Sequence, residues 1–158
     1  MKGKIKKIEE VTNLKLNNIG QLNGTNGSRL GMAQMINALG GYGEYDGYLI
    51  ETDTTKFLIL IENGQSCCED WGYFSCDDNF EEYIGKEIRE IVLTDTELKN
   101  KTLEEKLNYV DKNQVQFVTF KFTDGEELQF TVYNSHNGYY GHSILVAENE
   151  EILLSDTL

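Results

Sequence analysis

Two apolar runs joined by a three-residue polar turn constrain this chain more than any other feature. Tyr45 to Thr52 and Lys56 to Glu62 flank Asp53-Thr54-Thr55, and the second run holds the uninterrupted stretch Phe57-Leu58-Ile59-Leu60-Ile61. Short apolar runs bounded by turn residues read as strands, and two of them this close read as an antiparallel hairpin. Asn63-Gly64 supplies another turn, so Ser66 to Cys76, which contains the sole Trp, reads as a third consecutive strand. The pattern returns near the C-terminus, where Val115, Phe117, Phe120 and Phe122 face Leu128, Phe130 and Val132 across Asp124-Gly125. An Asp-Gly pair between alternating segments is a strong short-range hairpin signal. Lys86 to Thr94 alternates as a half-exposed strand, Ile144 to Ala147 and Ile152 to Leu154 read as short closing strands, and the first ten residues form an opening strand or helix.

Helical spacing is confined to short stretches. Leu30, Met32, Ala33, Met35, Ile36 and Leu39 fall on one helical face, with Ser28 as N-cap and Gly40-Gly41 just beyond the end. Phe80 to Gly85 reads as a helical turn and Thr102 to Tyr109 as a helix within a polar excursion. The expected class is therefore α+β, a mainly antiparallel sheet that curls or packs as a barrel or sandwich, with one or two short helices. No linker or repeat divides it, so residues 1–158 form one domain. A chain of this size buries about 68–70% of its unfolded surface, so neither metal nor disulfide is needed for stability.

Charge narrows the partners. The chain carries 14 Lys+Arg against 27 Asp+Glu, a net −13, unevenly spread. Residues 1–47 hold six basic and four acidic groups, a balance of +2, which leaves 8 against 23, or −15, for residues 48–158. Direct nucleic-acid binding needs a basic stripe that most of this chain lacks, whereas a small anion fits near the N-terminal third. No apolar run approaches the ~18 residues of a membrane span, and no signal-peptide core follows the N-terminal lysines. Three cysteines, two of them the adjacent Cys67-Cys68, make a poor disulfide framework. The expected setting is a cytoplasm, with reduced thiols and no membrane.

Three segments carry candidate chemistry. In Ser66 to Cys76, thiols, carboxylates and an indole lie together, and Glu69 and Trp71 are the candidate ligand contacts. Cys67, Cys76, His136 and His142 are the one set that could be assembled for zinc, but Cys67 and Cys68 point to opposite faces of a strand and no Cys-x₂-Cys knuckle exists, so no metal is expected. The cysteines read first as small core hydrophobes, ahead of metal ligands or nucleophiles. In Asn134 to His142, both histidines surround two tyrosines and two turn glycines, so His136, Asn137, Tyr139, Tyr140 and His142 can present planar polar groups to a planar ligand. The competing reading is a hairpin connection whose histidines cap backbone groups. In Gly24 to Gly31, Ser28 and Arg29 precede the expected helix, and backbone N–H groups there could cradle a phosphate. The spacing is not that of a P-loop, and an ordinary N-cap is the competing reading. A hydrolase has little support: Cys67 or Cys76 paired with His136 or His142 is the sole nucleophile–base candidate, and no catalytic residue or cofactor is assigned.

Gly64 to Phe74 (GQSCCEDWGYF) and Tyr133 to Val146 (YNSHNGYYGHSILV) together resemble a family of small uncharacterised proteins encoded by phages and prophages of Gram-positive bacteria, over roughly Tyr45 to Val146. The resemblance supplies no catalytic residues. It implies a host-takeover or anti-defence factor acting in the host cytoplasm, by sequestering a small nucleotide immune signal, by blocking an effector, or by mimicking DNA with an acidic surface. The expectation is a non-enzymatic, homo-oligomeric nucleotide-binding protein for immune evasion. The alternative is an acidic inhibitor of a nucleic-acid-targeting host defence protein.

Overall fold

The hairpin expected from the sequence is present and its turn is built by threonines. In a computed structural model that describes residues 2–15, 44–64, 70–94, 115–135, 141–149 and 151–158, strand β2 (Glu44–Thr52) pairs antiparallel with β3 (Lys56–Glu62). The Thr52 hydroxyl accepts from the Thr55 amide at 2.8 Å, and the Thr55 hydroxyl donates to the Lys2 carbonyl at 2.9 Å. The turn is thereby tied to the start of β1 (Ile5–Lys15), which pairs with the other side of β2.

Strand β3 lies at the centre of a five-stranded sheet in the order β1-β2-β3-β8-β9, with β8 at Ser143–Glu148 and β9 at Glu151–Thr157. Its run Phe57 to Ile61 is at most 1% exposed throughout, because alternate side chains enter different clusters. Phe57, Ile59 and Ile61 pack toward the second sheet, while Leu58 and Leu60 join Tyr45, Leu49, Leu145 and Ala147 on the opposite face. An uninterrupted apolar strand is what burial on both faces requires. The second sheet has the order β4-β7-β6-β5, from β4 (Asp70–Ser75), β7 (Glu127–Ser135), β6 (Val115–Phe122) and β5 (Ile88–Thr94). Its inward residues Val118, Phe120, Phe122, Leu128, Phe130 and Val132 meet the first sheet, with Phe57–Phe120 and Tyr48–Phe130 rings 5.5 and 4.7 Å apart.

Strand β1 meets the second sheet at both of its edge strands. At one end the Ile5 amide donates to the Lys86 carbonyl and Lys4 bridges Glu87 just before β5; at the other, the Tyr73 hydroxyl of β4 donates to Glu10. The chain around the start of β1 thus joins the two sheets by main-chain hydrogen bonds at the β5 edge and by a side-chain bond at the β4 edge. Register shifts at Ile5/Lys7 and Val11/Leu14 interrupt β1, and its lysines and bulges suit an edge strand that must not recruit another chain. Gly47 is fixed by contact: a Cβ there would lie 1.8 Å from the Ile59 carbonyl oxygen.

The α+β expectation is overturned. Among the described residues all regular structure is antiparallel strand except the 3-10 turn Phe80–Tyr83, so the class is all-β, built as two packed sheets. Helical periodicity over ten residues is a local signal, whereas class follows from what makes the core, and both clusters described here are made almost wholly of strand side chains. The helices expected at 30–39 and 102–109, and the loop at 17–31, lie outside the described residues. The meander also needs correction: β4 does not continue from β3 but joins the other sheet against β7, and β8 takes the place beside β3. The Phe80 turn, the Asp124-Gly125 hairpin, the half-exposed strand ending at Thr94 and both closing strands are where the sequence places them.

Candidate functional site

The end of the sandwich where β4 begins and β7 ends brings together parts of two candidate segments. Along β4 the alternation turns Trp71 and Tyr73 toward the core, where both are half-buried, and Gly72 and Phe74 away from it. Gly72 sits opposite Tyr133, whose ring lies so close that a Cβ on Gly72 would meet the hydroxyl at 2.6 Å. Trp71 sits opposite Asn134, which is fully buried and donates through Nδ2 to the main-chain oxygen of Leu158 at 2.9 Å.

The Trp71 indole stacks on the His142 imidazole, with centroids 5.4 Å apart and planes 27° from parallel. His142 is 3% exposed. Its main chain exchanges two hydrogen bonds with Leu158, each 2.9 Å, and its Nδ1 lies 2.5 Å from the Glu62 carbonyl oxygen. A carbonyl only accepts, so Nδ1 carries a proton and donates it to Glu62. The backbone-capping reading of the histidines therefore holds for His142.

Ser28, Arg29, Glu69, His136, Asn137, Tyr139 and Tyr140 lie outside the described residues, as do Cys67 and Cys68. The structure brings Trp71 and His142 together, and β4 begins and β7 ends at the paired residues Asp70 and Ser135. Cys76 is elsewhere. It lies five residues along from Trp71, about 16 Å by strand rise, with its sulfur accepting from the Gln129 amide at 3.3 Å. Thiol and imidazole thus sit toward opposite ends of β4, and burial pushes the Cys76 thiol up, which keeps it protonated and a poor nucleophile. Among the described residues no group of three or more His, Cys, Asp or Glu side chains is placed to hold a metal ion.

A second polar grouping, which the sequence did not reveal, lies where β1 meets β4. Tyr48 and Tyr73 pack edge to face at 5.4 Å. Burial first, and then the neighbouring Glu10, raise both hydroxyls well above the usual tyrosine range. Asp46 accepts from the Asn13 amide and from Asn63 Nδ2, both at 2.9 Å, and so holds the bulge in β1, where Asn13 has φ +53°. The one signal in the sequence is Asn13 itself, a residue that tolerates positive φ within an alternating run.

An antiparallel two-sheet β protein with an aromatic–imidazole pair at one end is the class that fold and site define. The chain belongs to the family described as "Domain of unknown function (DUF7448)", whose model matches residues 4–146. It is also similar to "Uncharacterized protein L278" of Acanthamoeba polyphaga mimivirus, at 34% identity over 89 residues. That match covers 56% of this chain and 66% of the viral protein, just under two thirds of its length. No solved structure matches the chain. Among the described residues no helix is long and apolar enough to cross a membrane.

Proposed function

We propose that the protein binds and sequesters a small nucleotide-type ligand without chemical change, as a phage-encoded anti-defence factor in the host cytoplasm. The observation that carries this reading is the Trp71–His142 stack, because it joins the two segments that carry the resemblance to phage proteins and offers planar chemistry that an acidic decoy would not need. The protonated Cys76 thiol favours binding over nucleophilic catalysis. A net charge of −13 opposes anion approach, so affinity for a nucleotide rises modestly as salt screens the acidic surface. A pocket completed by a second subunit would concentrate the contacts that such affinity needs.

The second reading is an acidic inhibitor of a nucleic-acid-targeting defence effector. Exposed Asp78, Glu81 and Glu82 around the 3-10 turn, together with Glu90, favour it. One experiment separates the readings. The protein is incubated with a mixture of cyclic and ADP-ribose-type nucleotides, filtered, and heated to release what it holds. Intact nucleotide supports sequestration, and altered nucleotide means an enzyme. Recovery of nothing, with tight binding to a nuclease effector, means the acidic inhibitor.

A further inference from the structure

We propose that Glu10, Tyr48, Tyr73 and Asp78 form a surface site for an organic cation, a protonated amine or guanidinium group that donates several hydrogen bonds at once. The site depends neither on the Trp71–His142 stack nor on the sequestration reading.

Glu10 of β1 lies directly opposite Tyr48 of β2, so their side chains leave one face of the sheet within reach of each other. From the second sheet, Tyr73 donates its hydroxyl proton to Glu10 and packs edge to face on Tyr48. Phe80, in the 3-10 turn, packs edge to face on Tyr48 at 6.1 Å, and Asp78 stands just before that turn. Glu10 and Asp78 are both exposed, so a cation meets them at the surface without entering a cavity. Tyr48 is 6% exposed, and its hydroxyl makes no hydrogen bond among the described residues. The wholly buried side-chain atoms without a partner are Thr131 Oγ1 and Asn134 Oδ1, so the Tyr48 hydroxyl is the point at which an otherwise buried ring reaches solvent. Burial first, and then Glu10 and Asp78, raise this hydroxyl above the usual tyrosine range, which keeps it protonated in the field of both carboxylates.

What these groups lack is a donor. Tyr73 gives its proton to Glu10, and ionised carboxylates only accept, so the Tyr48 proton is left to serve all the remaining oxygens. Among the described residues no ion pair includes Glu10 or Asp78. An ammonium or guanidinium group brings several donors together with the opposite charge, and the net −13 of the chain draws it in. A bare metal ion fits less well, because no group of three or more His, Cys, Asp or Glu side chains converges among the described residues.

The probes are the peptide acetyl-Gly-Arg-Gly-amide, its neutral citrulline counterpart and spermidine. Each is titrated into protein carrying ¹³C at the tyrosine Cζ, with Tyr48→Phe and Tyr73→Phe assigning the two resonances. The expected result is saturable movement of both resonances with a cationic probe, none with the citrulline peptide, and an affinity that falls as salt is added. Movement with the arginine peptide assigns the site to a basic side chain of a partner, and movement with spermidine alone assigns it to a free polyamine. Glu10→Gln, which still accepts from Tyr73, and Asp78→Asn each weaken binding by about two- to fivefold, whereas Glu90→Gln, which removes an exposed charge on β5, leaves it unchanged. An equal loss with Glu90→Gln reduces the effect to the general acidic field and overturns the site. So does equal binding of the citrulline peptide, or the absence of movement at Tyr48 and Tyr73 with both cations.

Discussion

The Tyr73 hydroxyl donates to the Glu10 carboxylate across 63 residues of sequence, and this bond ties β4, the outermost described strand of the second sheet, to β1, the outermost described strand of the first. The core beneath it is apolar and non-directional, so a directed contact at the crossing helps to set how β1 lies over β4. Tyr73→Phe keeps the ring packed on Tyr48 and removes only the hydroxyl. A hydrogen bond to a charged group contributes about 1.5–3 kcal/mol when shielded, and exposure here lowers the expected loss to about 1 kcal/mol. Urea denaturation that gives the same midpoint for variant and wild type contradicts this role.

Stability declines at alkaline pH. Tyr45 is pushed up to about 12 by burial and by Glu62, and Tyr48, Tyr73 and Tyr83 are raised further, each chiefly by burial. A group with a raised folded pKa contributes stability that is complete below its unfolded value and lost as pH climbs toward the folded one. The loss therefore begins near the ordinary tyrosine value of 10.0 and, for Tyr45, runs to about 12. Thermal midpoints measured from pH 8 to 12 fall over that interval, and Tyr48→Phe makes the fall shallower. A flat profile through pH 11 contradicts the burial of these hydroxyls.

Gly47→Ala is expected to be more damaging than any exposed substitution. The added carbon would lie 1.8 Å from the Ile59 carbonyl oxygen, so β2 and β3 must separate locally and loosen the most deeply buried strand. A loss of about 3 kcal/mol or more is the scale of such core disruptions. Leu60→Ala is the comparison: it keeps the backbone and leaves a cavity, at a cost of about 2–5 kcal/mol. A Gly47→Ala protein within 1 kcal/mol of wild type, as about the spread of an ordinary point change, would show that β2 lies further from β3 than described.

Cys76 reacts slowly. In a Cys67→Ser, Cys68→Ser background, Cys76 is the remaining thiol, half-buried, with a pKa raised first by burial. Alkylation by iodoacetamide at pH 8 is expected to run at least about tenfold slower than for free cysteine and to accelerate on unfolding. A rate equal to that of the free amino acid places the thiol in solvent.

Residue pattern by itself determined where the strands run. Period-two alternation, the Asp124-Gly125 and Asp53-Thr54-Thr55 turns and the uninterrupted Phe57–Ile61 run mark β2, β3, β6 and β7 to within a residue or two, because side-chain alternation and turn chemistry are local properties. The sequence also placed Trp71 and His142 among its candidates, the first from the thiols, carboxylates and indole gathered in Ser66 to Cys76, the second from the planar side chains of Asn134 to His142. Only the tertiary structure decided which strand each one joins and what each side chain meets. Backbone pairing offers the same donors and acceptors to any edge, so nothing local directs β4 past β3 to β7, and the stack of Trp71 on His142 exists only once β4 and β8 lie in different sheets. The same holds for Tyr73 and Glu10, whose contact depends on the angle at which two sheets cross, and that angle is set by the shapes of all the side chains packed between them.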